Sequence, residues 1–235
     1  MKLENATVFI TGANRGLGLA FAKEALERGA RKVYAAARDP ESVALDGVVP
    51  VRLDVNNAEQ VAAVARAAGD VTLLINNAGI AQTGGFLAED SVASARTHFE
   101  TNVIGPLRVS QAFAPVLAAN GGGAILNVLS VVSWITPPVL AVYASSKAAA
   151  WSLTNALRHE LRAQKTRVVG LHMGFVDTDM TRGFDVPKIS ADLVVQRAFD
   201  GLEAGAEEVL ADETSQQVKR GLSADPASYV RTVGE

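Results

Sequence analysis

A short apolar segment that runs into a glycine-rich turn constrains the fold more than any other feature of the sequence. Residues 7–10 are apolar or β-branched, and Thr11-Gly-Ala-Asn-Arg-Gly-Leu-Gly18 follows them directly. Residues 19–28 continue with helical spacing of apolar side chains and stop at Gly29. A strand, a glycine turn and a helix in this order are the context that a dinucleotide-binding turn requires.

Each glycine of this turn suits one requirement of a bound pyrophosphate. Gly12 permits the tight turn, Gly16 lets the backbone approach the phosphates, and Gly18 lets the helix pack closely. The N-terminus of the helix attracts the anion. The spacing is TGxxxGxG rather than the commoner GxGxxG. Ordinary βα loops also contain glycine clusters, so the turn alone does not identify a cofactor site.

The rest of the chain repeats the alternation of strands and helices. Further strands are predicted at residues 32–37, 48–53, 71–75, 124–129, 166–173 and 207–211. Helices are predicted at residues 57–68, 91–119, 141–164 and, after an N-cap at Ser190, up to residue 204, with a short helix in the tail. This alternation predicts an α/β protein with a doubly wound Rossmann fold, whose seven-stranded parallel sheet has helices on both faces.

The 235-residue length, without a visible linker or repeat, favours a single domain over residues 1–235, with a short substrate loop at about residues 181–189.

Composition excludes several classes of function. The net charge of −3 gives no polybasic surface for nucleic acid or anionic membrane. The chain has no cysteine, and its three histidines lack metal-motif spacing, so we predict no metal site. No apolar run reaches the length of a membrane span, and the N-terminus has no signal-like apolar region. We therefore expect a soluble, cytoplasmic protein with a small-molecule substrate.

Tyr143 and Lys147 are four positions apart, so a helix would place a phenol and an ammonium on one face. A nearby ammonium favours the phenolate, so we expect Lys147 to lower the pKa of Tyr143 and make it a general acid. Surface neighbours on helices have the same spacing, so the pair needs support from elsewhere. Ser130 ends a predicted strand thirteen residues earlier and could face Tyr143.

Residues after the second predicted strand bear on the choice of cofactor. Asp39 falls about 20 residues after the glycines, where an acid would bind the ribose 2′-hydroxyl of NAD. Arg38 precedes it, and Arg15 lies within the glycine turn. Two guanidinium groups suit a 2′-phosphate, so NADP(H) is favoured over NAD(H). Asp39 before Pro40 also suits a turn and a helix cap.

Five motifs occur together in one order along the chain. They are Thr11-Gly-x-x-x-Gly-x-Gly18, Asn76-Asn-Ala-Gly79, Asn102, Ser130 and Tyr143-x-x-x-Lys147. This set resembles the short-chain dehydrogenase/reductase family over about residues 5–211. The glycine turn and residues 37–39 are most similar to the NADPH-dependent carbonyl reductases of that family.

The resemblance implies roles for individual residues. Tyr143 would be the catalytic acid/base, and Lys147 would lower its pKa and hold the nicotinamide ribose. Ser130 would hydrogen-bond the reacting oxygen, with Ser133 as a less favoured rival. Asn102, near a helix kink expected at Pro106, would hold a water in a proton relay. The implied cofactor-binding residues are Gly12, Asn14, Arg15, Gly16, Leu17, Gly18, Arg38, Asp54, Val55, Asn77, Ala78, Gly79, Tyr143, Lys147, Gly174, Val176 and Thr178.

Two positions depart from the family pattern. Met173-Gly174 stands where members usually have Pro-Gly, which leaves the rigidity of that loop open. Asp212-Glu-Thr replaces a glycine-rich end found in many tetrameric members, which favours a monomer or homodimer over a tetramer.

Apolar residues near the predicted site suggest a hydrophobic substrate, although several could simply pack within loops. The candidates are Phe86, Trp134, Ile135, Val139, Met180 and Phe184, with Gln82 as one polar contact. The predicted function is hydride transfer from NADPH to a ketone or aldehyde, reversible as alcohol oxidation. The alternative is a non-catalytic, NADP-sensing regulator of the same fold. A serine hydrolase is disfavoured because no GxSxG motif is present.

Overall fold

Seven parallel strands form one sheet in the computed structural model, which describes residues 1–230. The strands are β1 (Thr7–Thr11), β2 (Lys32–Ala37), β3 (Val49–Arg52), β4 (Leu73–Asn76), β5 (Gly123–Val128), β6 (Thr166–His172) and, after two short strands, β9 (Glu208–Leu210). Their order is β3-β2-β1-β4-β5-β6-β9, so the winding reverses between β1 and β4. The predicted fold class is confirmed.

Helices cover both faces of the sheet. They are α1 (Gly16–Glu27), α2 (Ala58–Ala67), α3 (Ser91–Phe99), α4 (Gly105–Ala119), α5 (Ala141–Glu160), α6 (Ala191–Ala204) and α7 (Glu213–Gly221). Side chains of β1 alternate between the two cores. Val8 and Ile10 join the core under α1 and α6, whereas Phe9 packs against Phe113 of α4 with ring centroids 4.7 Å apart.

The predicted helix over residues 91–119 is divided by a π-helical turn, Glu100–Ile104. We expected Pro106 to kink the helix. Pro106 lies in the first turn of α4, directly after the π-helical turn. The change of helical repeat at residues 100–104 turns the chain, and π-turns of this kind are frequent at functional sites.

Residues 174–190 also differ from the prediction. The sequence predicted an irregular loop, but β7 (Val176–Asp177) and β8 (Ile189–Ser190) pair in parallel as a second, two-stranded sheet. This pairing fixes both ends of the predicted substrate loop.

Helix ends follow the predicted capping signals. Ser190 accepts a hydrogen bond from the N–H of Leu193 at the start of α6, and Gly205 ends it with a φ of 89°. The predicted tail helix is α7. The predicted domain runs to residue 235, and residues 231–235 lie outside the described residues. Within residues 1–230, no helix is long and apolar enough to cross a membrane.

Gly18→Ala is expected to destabilise the fold by about 2–3 kcal/mol, because a Cβ there would lie 2.0 Å from the carbonyl oxygen of Gly12. Alanine favours helices over glycine, so propensity alone predicts the opposite sign. Thermal and urea unfolding measure the change. Gly69→Ala is the control, because its Cβ would be 3.9 Å from its nearest neighbour. A Gly18→Ala protein as stable as wild type would contradict the close packing.

Candidate active site

Four loops meet at the carboxyl edge of the sheet. The glycine turn (residues 11–18) follows β1, residues 76–79 follow β4, the Ser130 loop (residues 130–134) follows β5, and residues 174–178 follow β6. Because the strands are parallel, these loops lie at one end of the sheet, beside the point where strand order reverses. This is the position at which open α/β sheets form ligand sites.

Asn77 ties the second of these loops to the glycine turn. Its side-chain amide donates to the carbonyl oxygens of Thr11 and Gly12 at 2.9 and 3.0 Å. The hydroxyl of Thr11 accepts from the backbone N–H groups of Asn77 and Ala78, both at 3.0 Å. Gly12 has a φ of 66°, which glycine adopts without strain. The loop after β4 therefore holds the glycine turn in place, and the side-chain amide of Asn77 makes two of the hydrogen bonds that do so.

The N-terminus of α1 suits an anion. Arg15 occupies the N-cap position, and among residues 1–230 no side chain caps this helix. Gly16 has a φ of 54°, and Leu17 packs on the core below. Gly18 brings the helix against the turn. Free N–H groups at a helix start next to a glycine turn fit a pyrophosphate, so the turn residues fit a dinucleotide.

Two exposed arginines and a carboxylate that caps its own turn lie near the end of β2. Arg15 and Arg38 are exposed, and Arg15 pairs with Asp179 at 3.7 Å on the surface. The carboxylate of Asp39 accepts the N–H of Glu41 and caps a short 3₁₀ turn. Asp39 thus acts as the helix cap that the sequence allowed. The Arg38 guanidinium is thus exposed near the end of β2, whereas that of Arg15 is shared with a surface carboxylate.

The same corner contains two polar residues, Ser42 and Arg52, that the sequence did not single out. Asn14 donates to the Ser42 hydroxyl at 3.1 Å, which joins the glycine turn to the segment after β2. Arg52, at the end of β3, donates to the carbonyl oxygen of Arg38 at 3.2 Å. Arg52 is far from the glycine turn in sequence, so only the pairing of β2 with β3 brings this third cation close.

Asp54 and Val55, predicted beside the adenine, follow β3. The carboxylate of Asp54 accepts the N–H of Asn56 at 2.9 Å. The side chain of Val55 is buried, and a Cβ at Gly105 would lie 2.9 Å from it. Part of the Val55 side chain therefore packs against Gly105, at the start of α4.

Lys147 is 7% exposed, and its ammonium donates to the carbonyl oxygen of Val128 at 2.8 Å. Burial lowers its pKa to about 8. A Cβ at Gly79 would lie 3.9 Å from Nζ, so the loop after β4 passes close to the ammonium. Lys147 thus lies between the ends of β4 and β5.

The phenol of Tyr143 contacts Ser130 and lies beside Lys147. Nζ of Lys147 is 5.8 Å from the Tyr143 ring centroid. Burial raises the pKa of Tyr143 to about 12, and a hydrogen bond with the Ser130 side chain opposes that rise. The expectation that Lys147 brings the pKa of Tyr143 toward neutrality is wrong, because loss of solvation dominates the pKa of this phenol.

Ser130, rather than Ser133, is the serine that meets Tyr143. Its hydroxyl also lies 3.4 Å from the carbonyl oxygen of Met173 and 3.3 Å from the N–H of Val132. Ser133 is buried, and no partner within residues 1–230 reaches its hydroxyl. The sequence preference for Ser130 therefore agrees with the geometry.

Asn102 lies in the π-helical turn and is 2% exposed. Its Oδ1 accepts the N–H of Ile80, and its amide donates to the carbonyl oxygen of Ile80, both at 2.9 Å. The amide also donates to the Ser146 hydroxyl at 2.9 Å. Asn102 therefore joins the loop after β4 to the helix that carries Tyr143 and Lys147.

A small cavity of about 10 Å³ lies behind the ammonium, lined by Asn76, Asn102, Asn127 and Lys147 among others. No partner among the described residues reaches Oδ1 of Asn76, which is a buried acceptor. A polar cavity of this size suits one water molecule.

The loop after β6 faces the glycine turn. A Cβ at Gly16 would lie 3.5 Å from the methyl carbon of Thr178. Val176 is buried, and its carbonyl oxygen accepts from the Thr181 hydroxyl. Gly174 donates its N–H to Asp212 at 2.5 Å. Thr178 thus borders the glycine turn, whereas the contacts of Gly174 and Val176 are with Asp212 and Thr181.

Three of the apolar side chains predicted to contact substrate are exposed to solvent. Phe86, Val139 and Met180 are each more than half exposed. The Phe86 and Val139 loops are joined by a 2.8 Å bond from the N–H of Gly84 to the carbonyl oxygen of Val139. Phe184 packs on Phe175, with ring centroids 5.1 Å apart.

The other predicted substrate contacts differ in environment. Ile135 packs beside Tyr143 in a small apolar cluster, and the Gln82 side chain is exposed. Trp134 is 8% exposed and stacks on His172 with centroids 3.9 Å apart. Trp134 therefore belongs to the interior behind the Ser130 loop, which corrects its assignment to the substrate wall.

His98 is a site residue that the sequence did not indicate. It is fully buried, and its ring centroid is 6.3 Å from that of Tyr143. Nε2 accepts the N–H of Gln82 at 3.2 Å, while Nδ1 is 2.8 Å from the carbonyl oxygen of Ser94. The only available signal was a histidine in an otherwise amphipathic helix, and that pattern is common in cores.

Comparison with known proteins agrees with this geometry. The sequence profile of the short chain dehydrogenase family matches residues 6–187. A short chain dehydrogenase from Burkholderia cenocepacia J2315, solved in complex with NADP, is 42% identical, with a TM-score of 0.92 and 96% coverage of both chains. A short chain dehydrogenase/reductase from Burkholderia phymatum, solved with NAD, is 28% identical, with a TM-score of 0.86 and coverage of 96% and 95%.

Among curated proteins, galactitol 2-dehydrogenase (L-tagatose-forming) of Cereibacter sphaeroides is 36% identical over 191 residues, which cover 77% of this chain and 75% of that protein. The matched profile spans most of the chain, including the glycine turn and the Ser130, Tyr143 and Lys147 group. The chain therefore belongs to the short-chain dehydrogenase family of oxidoreductases.

Proposed function

We propose that the protein reduces the carbonyl group of a hydrophobic ketone or aldehyde with NADPH, and oxidises the corresponding alcohol in reverse. The observation that carries this proposal is the placement of the Ser130 hydroxyl next to the Tyr143 phenol, beside the buried ammonium of Lys147. When bound, the cofactor supplies the hydride.

The side chains of the site suit the charge that develops on a carbonyl oxygen as it is reduced. The hydroxyls of Ser130 and Tyr143 can both donate to that oxygen, where negative charge grows. The pKa of Tyr143, raised to about 12, keeps the phenol protonated at neutral pH. A protonated phenol is the form required of a proton donor, and an alkoxide is basic enough to accept its proton.

Lys147 and Asn102 would restore the proton to Tyr143. The ammonium of Lys147 lies between the phenol and the small polar cavity, which has room for one water molecule. Asn102 borders the same cavity. A water held there could pass a proton toward Lys147, in agreement with the relay that the sequence implied.

The preference for NADPH rests on the corner formed by the glycine turn and the end of β2. Arg15 and Arg38 are exposed there, and Arg52 approaches from β3. Asp39, the carboxylate that would favour NAD, is used in capping its own turn. The relative solved with NADP supports this assignment, while the relative solved with NAD makes a binding comparison necessary.

The hydrophobic substrate class rests on the exposed apolar rim formed by Phe86, Val139 and Met180. Burial of apolar substrate surface against these side chains would provide binding free energy. The alternative of a non-catalytic regulator is disfavoured because the complete set of proton-transfer side chains is present at one edge of the sheet.

Tyr143→Phe is expected to lower kcat for NADPH-dependent carbonyl reduction by about 10²- to 10⁴-fold, because it removes the proton donor while keeping the ring. NADPH consumption with a panel of aromatic and aliphatic ketones and aldehydes measures the effect. Ser133→Ala is the matched control, and its kcat should stay near that of wild type. Reduction by Tyr143→Phe at a near wild-type rate would refute the assignment.

The kcat/KM for NADPH, which reports groups of the free enzyme, is expected to fall as pH rises through about 8. The sign follows because Lys147 has a lowered pKa of about 8 and loses its charge above that value. Steady-state rates from pH 6 to pH 10 provide the profile. Lys147→Met should be slower throughout and lack this alkaline decline; a decline that persists in the variant would exclude Lys147 as its source.

Arg15→Gln and Arg38→Gln are each expected to raise the Kd for NADPH by about tenfold and leave that for NADH nearly unchanged, because each removes one charge from the 2′-phosphate corner. Fluorescence titration with both cofactors measures the selectivity. Arg31→Gln is the control, since Arg31 donates to Thr7 near the other end of β1. Equal losses for NADPH and NADH would contradict the assigned corner.

A further inference from the structure

The C-terminal segment, residues 208–221, lies behind both loops that complete the active site. It consists of the edge strand β9, which pairs with β6, and the helix α7, which begins after Asp212. The preceding assignments to substrate, cofactor and proton transfer include no residue of this segment. The carboxylates of Asp212 and Glu208 nevertheless approach these two loops from the side away from the site.

Asp212 makes hydrogen bonds in two directions. Its Oδ1 accepts the N–H of Ser215 at 2.7 Å and caps α7. Its Oδ2 accepts the N–H of Gly174 at 2.5 Å. A Cβ at Gly174 would lie 3.2 Å from the same oxygen. The carboxylate therefore lies directly against the loop of residues 174–178, which we call the nicotinamide-side loop.

This contact bears on the departure at Met173. A proline at that position would fix φ through its ring, whereas methionine leaves φ free. A charge-assisted hydrogen bond from the next residue, Gly174, to a capped helix start restricts the same backbone from the other side. Asp212 thus restrains a backbone segment that a proline at position 173 would also restrain. Asp212 stands where a glycine-rich end was expected.

Glu208 provides the second connection. Its Oε2 accepts from the ammonium of Lys219 in α7 at 2.6 Å, and its Oε1 accepts from the indole N–H of Trp151 at 3.2 Å. The Nε2 atom of His172 is 3.7 Å from Oε1. His172, followed by Lys219 and Trp151, lowers the pKa of Glu208 to about 2, so this carboxylate is ionised at neutral pH.

His172 and Lys219 both contact the Ser130 loop. His172 is fully buried, and its Nδ1 lies 3.2 Å from the carbonyl oxygen of Ser130. Its ring stacks on Trp134, which ends that loop, with an interplanar angle of 18°. The ammonium of Lys219 lies 4.9 Å from the Trp134 ring centroid. His172 therefore contacts the Ser130 backbone, and Glu208 reaches the same loop by holding the Lys219 ammonium over Trp134.

We infer that Asp212 and Glu208 are positioning residues, which hold the nicotinamide-side loop and the Ser130 loop, respectively, from the C-terminal segment. This inference rests on the proposed function for its catalytic consequence. The two restraints themselves do not depend on that function, and they can be measured in the protein without cofactor.

Asp212→Asn and Asp212→Ser test the first restraint. Asparagine keeps the shape but loses the charge and one acceptor, while serine still caps a helix but is too short to reach Gly174. In the cofactor-free protein, both variants should speed hydrogen exchange in residues 173–178. Asp212→Ser should leave exchange in α7 near that of wild type, which separates the restraint from the cap.

The same two variants should raise the Kd for NADPH by about tenfold, as expected for loss of one charge-assisted hydrogen bond that orders the loop. Glu213→Gln is the matched control, because it removes a neighbouring exposed carboxylate from the first turn of α7. Its exchange and its Kd should match those of wild type. Unaltered exchange at residues 173–178 in both Asp212 variants overturns the role of Asp212.

Glu208→Gln tests the second restraint, with Glu207→Gln as the control at an adjacent, more exposed carboxylate that pairs with Arg158 and Arg162. Glu208→Gln should speed exchange at residues 130–134 and lower kcat for carbonyl reduction about tenfold, with the KM for NADPH within twofold of wild type. A change in KM without a change in kcat, or wild-type exchange at residues 130–134, overturns the role of Glu208.

A further measurement needs only the wild-type protein. The Gly174 amide should exchange slowly in the absence of cofactor, and rapid exchange overturns the Asp212 contact even if a variant fails to fold. If wild type reduces no carbonyl compound but exchange responds as expected, the proposed function fails and the two restraints stand.

Discussion

A nearly buried ammonium, that of Lys147, is the constraint around which the active site is built. Removing a charge from water is costly, and here one carbonyl acceptor, that of Val128, offsets part of the cost. The lowered pKa of Lys147 and the raised pKa of Tyr143 both record this desolvation. Groups with such shifts cluster at functional sites, because folding alone gives no reason to retain them.

Asparagine side chains hold the backbone around that ammonium. Asn77 joins the loop after β4 to the glycine turn, and Asn102 joins the same loop to the helix that carries Tyr143 and Lys147. The π-helical turn is what directs Asn102 inward, since it interrupts the regular face of the α3–α4 helix. The glycine turn and the helix that carries Tyr143 and Lys147 are therefore bonded to the same loop, which places them relative to each other.

The C-terminal segment extends this principle to the other side of the site. Asp212 and Glu208 accept hydrogen bonds from the Gly174 backbone and from the side chains of Lys219 and Trp151, respectively. A hydrogen bond from Gly174 to a helix cap restricts the backbone much as a proline ring would, although it depends on the folded position of α7. The backbone of the loop after β6 is thus linked to the start of helix α7.

The strand–turn–helix alternation, the parallel sheet and the candidates at the strand ends could be predicted from the sequence, because hydrophobic period, glycine position and helix caps are local signals. Ser130 and Tyr143 meet as their positions in those elements required. The pKa of Tyr143, the interior place of Trp134, and the contributions of Arg52, His98 and Asp212 were decided only by the tertiary structure. Desolvation, stacking and contacts between residues distant in sequence depend on what surrounds a side chain, and periodicity carries no record of those neighbours.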